Sequence, residues 1–341
     1  MTSLPTNPLG RTGMNLTRVG FGAWAIGGEW LAGWGPQDDA ESIAAIRHAI
    51  DAGINWIDTA PAYGLGHSEE VAAALRGVPQ ADRPYVFTKA GLIWDEALAA
   101  GSRMEAAPSR SGTVASIRRE VEASLRRLQV EQIDLYQMHW PAQDASLEEY
   151  WGAFADLQQE GKVRAIGLSN HDVAQLEAAE AIAHVDSLQP PLSPVNRAAG
   201  GDVVPWCAEH GTGVIVYSPM ASGLLSGSWS RERTASLDAG DWRRNNPLFS
   251  GDGLEAALDL VDRLRPVAEE HKSSVGSIAI AWTLAFAGVT GAIVGARTPA
   301  QIDGWIDAAT LELGAGALDA VAAAIETSGV GAGPARPGAT S

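Results

Sequence analysis

The sequence predicts an α/β fold, a (β/α)8 barrel of the TIM type, in which parallel strands alternate with helices. Short apolar runs rich in Val and Ile alternate with longer amphipathic segments, about eight of each, as in βα units around a parallel sheet. The runs are short and mostly apolar, which is typical of strands covered on both faces. The predicted strands, in order, are residues 18–23, 54–58, 85–89, 133–138, 165–168, 187–189, 214–217 and 292–294.

Helical patterns fill the intervals between these strands. Ser68 and Thr113 have side chains of the kind that begin helices, and each precedes an amphipathic run. Eight units favour a closed barrel over an open sheet, because an open dinucleotide-binding sheet needs G-x-G-x-x-G after its first strand. The glycines within residues 20–28 do not have that spacing. The predicted helices are residues 38–52, 68–76, 113–128, 147–159, 172–181, 203–210, 275–287 and 299–308.

Further segments are predicted outside the repeating units. Residues 9–14 indicate the turn of an N-terminal β-hairpin that caps the bottom of the barrel, and residues 254–271 indicate an extra amphipathic helix among the C-terminal helices. We expect one domain over residues 1–327 and a flexible tail over 328–341, which is rich in Gly, Pro, Ala and Ser. Three long loops are expected to surround the catalytic mouth, and these are residues 29–37, 93–112 and 222–253.

Composition and charge limit the class of partner. The chain of 341 residues is 46% hydrophobic and has a net charge of −17, which disfavours a nucleic-acid or anionic-membrane surface and favours a small-molecule partner. Cys207 is the only cysteine, so an intramolecular disulfide and a cysteine-based zinc site are excluded. With no leader pattern and no long apolar run, we expect a soluble cytoplasmic protein. The extra helices leave surfaces through which copies can pair into a homo-oligomer.

Four polar residues, Asp58, Tyr63, Lys89 and His139, lie at or just beyond the carboxyl ends of predicted strands. Such ends converge in a barrel, and a carboxylate and an ammonium at the rim of an apolar core need partners. A phenol normally titrates near 10, so Tyr63 is expected to need the cation of Lys89 to lower its pKa. Taken singly, the aspartate suits a turn, the tyrosine suits packing and the histidine suits a loop. Together they predict an acid–base site.

The sequence resembles the aldo-keto reductase family from about residue 9 to residue 308. The resemblance depends on four motifs in order, GINWIDTAPAYG at 53–64, FTKA at 87–90, IDLYQMHWP at 133–141 and GKVRAIGLSN at 161–170. It implies hydride transfer from a nicotinamide cofactor to an aldehyde or ketone, or the reverse reaction on an alcohol. It further implies that Tyr63 is the general acid, that Lys89 lowers its pKa, that Asp58 holds Lys89 and that His139 orients the carbonyl oxygen.

The same resemblance implies a cofactor site at the ends of the remaining strands. Ser169, Asn170 and Gln189 would hold the nicotinamide amide, although Ser-Asn before a helix is also an ordinary N-cap. Tyr217 would stack on the nicotinamide ring, or else is a core tyrosine. Arg297 is expected to bind a 2′-phosphate, which favours NADPH over NADH. The other expected cofactor contacts are Gly22, Trp24, Ser218, Pro219, Gly223, Leu225, Gly295 and Gln301, with Gly223 and Leu225 beside the pyrophosphate.

The chain departs from the family pattern at two places. Gly304 and Trp305 stand where the family has a Glu-Asn pair that holds the adenine end of the cofactor. The segment 189–197 lacks the aromatic residue that often follows the glutamine by a few positions. The preference for NADP over NAD therefore stays open at this stage.

Three tryptophans near the mouth, Trp24, Trp30 and Trp140, are candidates for an apolar wall around the substrate. Such rings suit aromatic or sugar-like carbonyl compounds, and they suit plain packing equally well. No metal site is expected. Two other functions remain open from the sequence, a nicotinamide-binding redox sensor or regulatory subunit, and a metal-dependent barrel hydrolase that uses Asp58, His139 and neighbouring carboxylates.

Overall fold

A computed structural model describes residues 4–72, 75, 78, 83–238 and 240–338, and a closed barrel of eight parallel strands forms its centre. This confirms the predicted fold. Each predicted strand is present, and those at 133–138 and 187–189 have the expected bounds. The barrel strands, in the order in which they pair around the ring, are β3 (Val19–Gly22), β4 (Trp56–Asp58), β5 (Tyr85–Ala90), β8 (Ile133–Met138), β9 (Val163–Ser169), β10 (Ser187–Gln189), β11 (Gly213–Tyr217) and β12 (Val289–Gly295).

Helices cover the outside of the ring, and several begin at the residue type that caps a helix. The side chains of Asp38 and Thr113 accept hydrogen bonds from the amides of Glu41 and Ser116. The helices are α1 (Asp39–Asp51), α2 (His67–Ala72), α3 (Glu96–Gly101), α4 (Val114–Leu128), α5 (Leu147–Gln159), α6 (Val173–Glu180), α7 (Val203–His210), α8 (Arg231–Ala235), α9 (Gly251–Glu270), α10 (Val275–Leu284), α11 (Pro299–Asp303) and α12 (Ala315–Ser328).

Most predicted helices have bounds within a few residues of the observed ones, and two differ more. The prediction for 68–76 includes residues 73, 74 and 76, which lie outside the described residues, and α2 ends at Ala72. The prediction for 299–308 is divided, because α11 ends at Asp303 and a 3-10 helix begins at Ile306. Gly304 and Trp305 therefore occupy a break between the two helices, directly after α11.

The N-terminal hairpin closes the bottom of the barrel, as predicted. Strands β1 (Thr6–Pro8) and β2 (Asn15–Thr17) pair in an antiparallel manner. Leu9, Met14 and Leu16 are fully buried, and they pack in one cluster with Trp56 and Phe87 from the barrel strands. The hairpin is thus a hydrophobic plug at the amino ends of the strands.

Short elements occupy two of the long loops. Within residues 93–112, helix α3 is followed by β7 (Ser109–Arg110), which pairs in an antiparallel manner with β6 (Leu92–Ile93). Within residues 222–253 lie α8 and 3-10 turns at Trp242–Asn245 and Pro247–Phe249. The sequence analysis did not predict these elements because they are too short to show periodicity.

The C-terminal helices are present, and the described part of the tail is held against them. Arg197 donates to Val330 O at 2.8 Å and to Gly333 O at 3.1 Å, and Trp282 Nε1 donates to Ala335 O at 3.1 Å. Because Arg197 is buried, these carbonyl groups satisfy a guanidinium that water does not reach. These contacts differ from the expectation of a flexible tail. Among the described residues, no helix is long and apolar enough to cross a bilayer.

Candidate active site

A cavity of about 840 Å³ opens at the carboxyl ends of the barrel strands. Its floor contains Asp58 and Tyr63 at the end of β4 and His139 at the end of β8, and β5 lies between these two strands in the ring. The structure thus brings most of the candidate residues to one place. Those that line the cavity are Gly22, Trp24, Trp30, Asp58, Tyr63, His139, Trp140, Ser169, Asn170, Gln189, Tyr217, Ser218, Pro219, Gly223, Gly295, Arg297 and Gln301.

Lys89 lies behind the cavity floor and is fully buried. Its Nζ donates to Asp58 Oδ1 at 2.6 Å, to Thr59 O at 2.9 Å and to Tyr63 Oη at 3.3 Å. All three donors of the ammonium are used, as a charge in a water-free position requires. The predicted contacts of Lys89 with Asp58 and Tyr63 are therefore present, although the lysine does not line the cavity.

The pKa of Tyr63 differs from the expectation. Burial, followed by the charge of Asp58, raises the pKa of Tyr63 well above 10, and burial lowers the pKa of Lys89. The expected effect of Lys89 is absent because its ammonium is closer to the carboxylate than to the phenol, so the ion pair has little net charge. The phenol of Tyr63 is consequently protonated at neutral pH, so it carries a proton that can be donated.

Two glutamines hold the second oxygen of Asp58. Gln189 Nε2 donates to Asp58 Oδ2 at 2.8 Å, and Gln137 Nε2 donates to the same atom at 3.3 Å. Gln137 was missed by the sequence analysis. A signal existed in the sequence, since Gln137 is a polar residue next to the last position of strand β8, and the structure shows it fully buried. The carboxylate is therefore fixed on both sides.

His139 is held at the cavity surface by backbone contacts to the strands on both sides. Its amide donates to Ala90 O at 2.9 Å, and its carbonyl accepts from Asn170 Nδ2 at 2.9 Å. The rings of His139 and Tyr63 meet edge to face with centroids 5.8 Å apart. Burial, followed by the cations Lys89 and Arg110, lowers the pKa of His139 well below 6.5. The imidazole is therefore neutral at pH 7.

The side-chain amides of Asn170 and Gln189, at the ends of β9 and β10, already make some hydrogen bonds within the protein. Asn170 has a left-handed backbone with φ 62°, and its Oδ1 accepts from Tyr217 Oη at 2.8 Å. The hydroxyl of Ser169 donates to Gln189 O at 2.8 Å. Among the described residues, Gln189 Oε1 has no hydrogen-bond partner. The acceptor that is open to a ligand amide is thus Gln189 Oε1.

The loop after β11 has an unusual backbone. Ser218, Ala221 and Ser222 have φ of 57°, 47° and 56°, and Gly223 has φ of 90°. Left-handed residues other than glycine are strained and concentrate at functional sites. A Cβ added at Gly223 would meet nothing within 4 Å, so its backbone is open to the cavity. Leu225, by contrast, does not line the cavity, since its amide donates to Met220 O at 3.1 Å and its side chain is fully buried.

Arg297 fastens the loop of residues 29–37 to the end of β12. Its guanidinium donates to Gln37 Oε1 at 2.5 Å, to Trp34 O at 3.2 Å and to Pro36 O. Its amide donates to Gln301 Oε1 at 2.7 Å. The expected phosphate ligand is therefore engaged by a neighbouring loop, although it lines the cavity.

Aromatic rings join that loop to the loop of residues 222–253 above the cavity. The ring centroid of Trp24 lies 5.5 Å from that of Trp34 and 5.6 Å from that of Trp242. The guanidinium carbon of Arg243 lies 4.5 Å from the centroid of Trp34. Trp30 lies deeper, with its ring centroid 6.4 Å from that of Tyr63. Arg110, Arg233 and Arg243 line the cavity, and the sequence analysis missed all three.

A parallel barrel with an acid–base group of this kind at its carboxyl end defines a class of oxidoreductase. The chain belongs to the aldo-keto reductase family, since the model described as "Aldo/keto reductase family" matches residues 18–326. The chain is 36% identical to aldo-keto reductase YhdN of Bacillus subtilis (strain 168), over 86% of this chain and 85% of that protein. It is 33% identical to the NADH-specific methylglyoxal reductase of Escherichia coli (strain K12), over 86% and 90%.

A solved structure agrees with this assignment. The structure of a glycerol dehydrogenase from Gluconobacter oxydans superposes with a TM-score of 0.86 and 36% identity, covering 96% of each chain. This chain is accordingly an NAD(P)H-dependent oxidoreductase that reduces small-molecule carbonyl compounds. The redox-sensor alternative is not favoured. Within the described residues, no three His, Cys, Asp or Glu side chains are grouped to hold a metal ion.

Proposed function

We propose that Tyr63 donates the proton to the carbonyl oxygen, with Asp58, Lys89 and His139 completing the site. The observation that carries this assignment is the three-way contact of Lys89, 2.6 Å from Asp58 and 3.3 Å from Tyr63, directly behind the cavity floor. A protonated phenol and a neutral imidazole at one edge of the floor supply two neighbouring polar groups for a single oxygen. The reaction is the reduction of an aldehyde or ketone to an alcohol, or its reverse.

Each side chain of the site has a separate part in this reaction. Tyr63 moves the proton from its hydroxyl to the substrate oxygen. Lys89 donates to the Tyr63 oxygen and supports the phenolate that forms when that proton leaves. Asp58, fixed by Gln189 and Gln137, keeps Lys89 in place. The bound nicotinamide supplies the hydride.

The residues around the cavity fit a nicotinamide dinucleotide. Gln189 Oε1 offers an open acceptor to the carboxamide, and the ring of Tyr217 lies at the adjacent strand end. The exposed backbone at Gly223 suits a pyrophosphate, since a side chain there would occupy the open space. We therefore assign the amide end to Ser169, Asn170 and Gln189 and the phosphate end to the loop after β11.

We propose NADPH as the preferred cofactor, with Arg297 as the ligand of the 2′-phosphate. This use of Arg297 requires its guanidinium to leave the carbonyl groups of residues 29–37. Arg233 and Arg243 line the same cavity and add positive charge. The relative from Escherichia coli is named as NADH-specific, so the affinities of this chain for NADPH and for NADH need to be compared directly. Tryptophan-fluorescence titration of wild type and R297Q with NADPH and NADH measures it, and equal affinity for the two cofactors in wild type would contradict the preference.

For the substrate, we propose an aromatic or sugar-like carbonyl compound that contacts Trp24, Trp30 and Trp140. A second cavity of about 650 Å³ adjoins the first and shares Trp24 and Trp140 with it, which leaves room for a substrate larger than a simple aldehyde. For the location, we propose the cytoplasm, where the buried thiol of Cys207 would stay reduced.

For the oligomeric state, we propose that copies of the chain pair through the C-terminal helices.

Y63F tests the assignment of the proton donor. We expect Y63F to bind NADPH as wild type does and to lose at least about 100-fold in kcat for the reduction of a panel of aldehydes, ketones and sugars. Turnover of the whole panel by Y63F at the wild-type rate would refute the role of Tyr63.

A further inference from the structure

The cavity is positively charged although the protein as a whole is strongly acidic. The chain has a net charge of −17. Four arginines line the cavity, namely Arg110, Arg233, Arg243 and Arg297, whereas Asp58 is the only acidic residue among the lining residues described. Asp58 is already paired with Lys89. The cavity is therefore locally positive and suited to anions, although the net charge of the protein is strongly negative.

Three of these arginines belong to the side of the cavity where the cofactor is proposed. Arg233 and Arg243 follow β11, and Arg297 follows β12. Arg243 is paired with Asp241 through Nε at 2.9 Å and Nη2 at 2.5 Å. Arg233 lies over the ring of Trp229, 4.6 Å from its centroid. These three arginines therefore have contacts within the loops that they join, and their positive charge also suits the anionic dinucleotide proposed above.

Arg110 lies on the other side, after the third strand of the ring. Its guanidinium carbon is 4.6 Å from the ring centroid of Trp140, the residue that follows His139. Within the part of the chain that the structure describes, the Arg110 side chain makes no hydrogen bond and no ion pair. Stacking on a ring uses the face of a guanidinium and leaves the N–H groups along its edges free.

The backbone around Arg110 is fixed on both sides. Arg110 pairs with Leu92 in the β6–β7 ribbon, and the amide of Ser111 donates to Gly91 O at 3.1 Å. The amide of Gly112 donates to Asp144 Oδ1 at 2.7 Å. A guanidinium with free donors is thus held beside the cavity floor before any ligand arrives, which lowers the cost of ordering it on binding.

We propose that Arg110 binds an anionic group of the substrate, so that the preferred substrates are aldehydes or ketones that carry a carboxylate or a phosphate. This inference rests on the proposed function. The planar fork of a guanidinium matches both anions through paired hydrogen bonds. Arg110 thereby sets specificity, and Tyr63 and His139 act on the carbonyl group of the same molecule.

Matched substrate pairs test the proposal in the enzyme with its cofactor. The carboxylate pair is 4-formylbenzoate and its methyl ester, and the phosphate pair is glyceraldehyde 3-phosphate and glyceraldehyde. We expect wild type to prefer the anionic member of at least one pair, and the pair that shows the preference identifies the anion. R110Q should lower kcat/KM for that member by roughly 10- to 100-fold and for its neutral counterpart by less than about 3-fold. For the anionic member, R110K should have a kcat/KM between the values of wild type and R110Q.

R103Q is the matched control, because Arg103 is an exposed arginine of the same loop and does not line the cavity. Higher ionic strength should reduce kcat/KM for the anionic member more than for the neutral one. Equal losses on both members in R110Q, or no anionic preference in wild type, would overturn the role of Arg110 while the neutral substrates still report the reaction. If none of the four compounds is reduced, the panel of aldehydes, ketones and sugars used for Y63F tests the proposed function by itself. Binding is then measured by quenching of tryptophan fluorescence. Wild type should bind 4-formylbenzoate more tightly than its methyl ester, and equal binding of the two would contradict the anion site at Arg110.

Discussion

Lys89 Nζ lies 2.6 Å from Asp58 Oδ1, and neither side chain has substantial contact with water, at 0% and 3% exposure. Two opposite charges at that distance in the barrel interior neutralise each other. The pair therefore supports Tyr63 through the geometry of a hydrogen bond more than through a free positive charge. Burial, followed by the charge of Asp58, raises the pKa of Tyr63 even though Lys89 donates to its oxygen.

D58N separates the structural role of the pair from its chemical role. The substitution leaves Lys89 as a buried charge without a partner, and we expect a loss of about 3 kcal/mol in the free energy of unfolding together with a large loss of kcat. The double variant D58N/K89M removes the orphaned charge, so it should recover most of the stability and none of the activity. Urea unfolding and steady-state kinetics measure the two effects. Recovery of activity in the double variant would contradict the assignment.

The pH profile of reduction follows from two pKa shifts in opposite directions. The pKa of Tyr63 is raised, so its phenol stays protonated, and the pKa of His139 is lowered, so its imidazole stays neutral. We expect kcat for reduction to be flat between about pH 6 and pH 9, since neither group changes its charge there. The measurement uses saturating cofactor. A change of kcat near pH 6.5 that is present in wild type and absent in H139N would show that His139 titrates there, and it would contradict the prediction.

Glu120 is expected to make stability fall as the pH rises. Its carboxyl accepts from the amide of Gly91 at 2.9 Å and from Ser116 Oγ at 3.0 Å, and burial raises its pKa to about 7. A carboxyl whose folded-state pKa is raised favours the folded state when protonated, so its contribution is lost between the unfolded-state pKa and about 7. From pH 4 to pH 8, wild type should lose roughly 2–3 kcal/mol relative to E120Q.

Chemical unfolding at several pH values checks this result. E131Q is the control, because Glu131 is exposed and close in the sequence. A pH dependence of the unfolding free energy that is the same in wild type, E120Q and E131Q would exclude Glu120 as its source.

Removal of the C-terminal segment tests whether it is part of the folded structure. A chain that ends at Ser328 loses Val330, which is buried, and the carbonyl groups that satisfy Arg197. We expect a loss of about 2–4 kcal/mol in the free energy of unfolding. A chain that ends at Gly338 is the comparison and should unfold as wild type does. Identical midpoints for the two truncated chains would show that the segment contributes nothing.

The barrel could be predicted because short, mostly apolar runs alternate with helical patterns along the chain. Strand β8 and helix α7 have the expected bounds for that reason. The β6–β7 ribbon could not be predicted, since two-residue strands have no period, and Arg110 was missed with it. The contacts of Lys89 were expected from the strand ends that converge in a barrel. The direction of the change in the pKa of Tyr63 was not, because it depends mainly on how completely the folded chain buries the phenol.

The plug formed by Leu9, Met14 and Leu16 has a kinetic consequence. Because the amino end of the barrel is closed and its interior is packed with side chains, both reactants enter and leave through the opening at the carboxyl ends of the strands. A molecule bound near that opening therefore hinders the exchange of one that is bound deeper in the cavity.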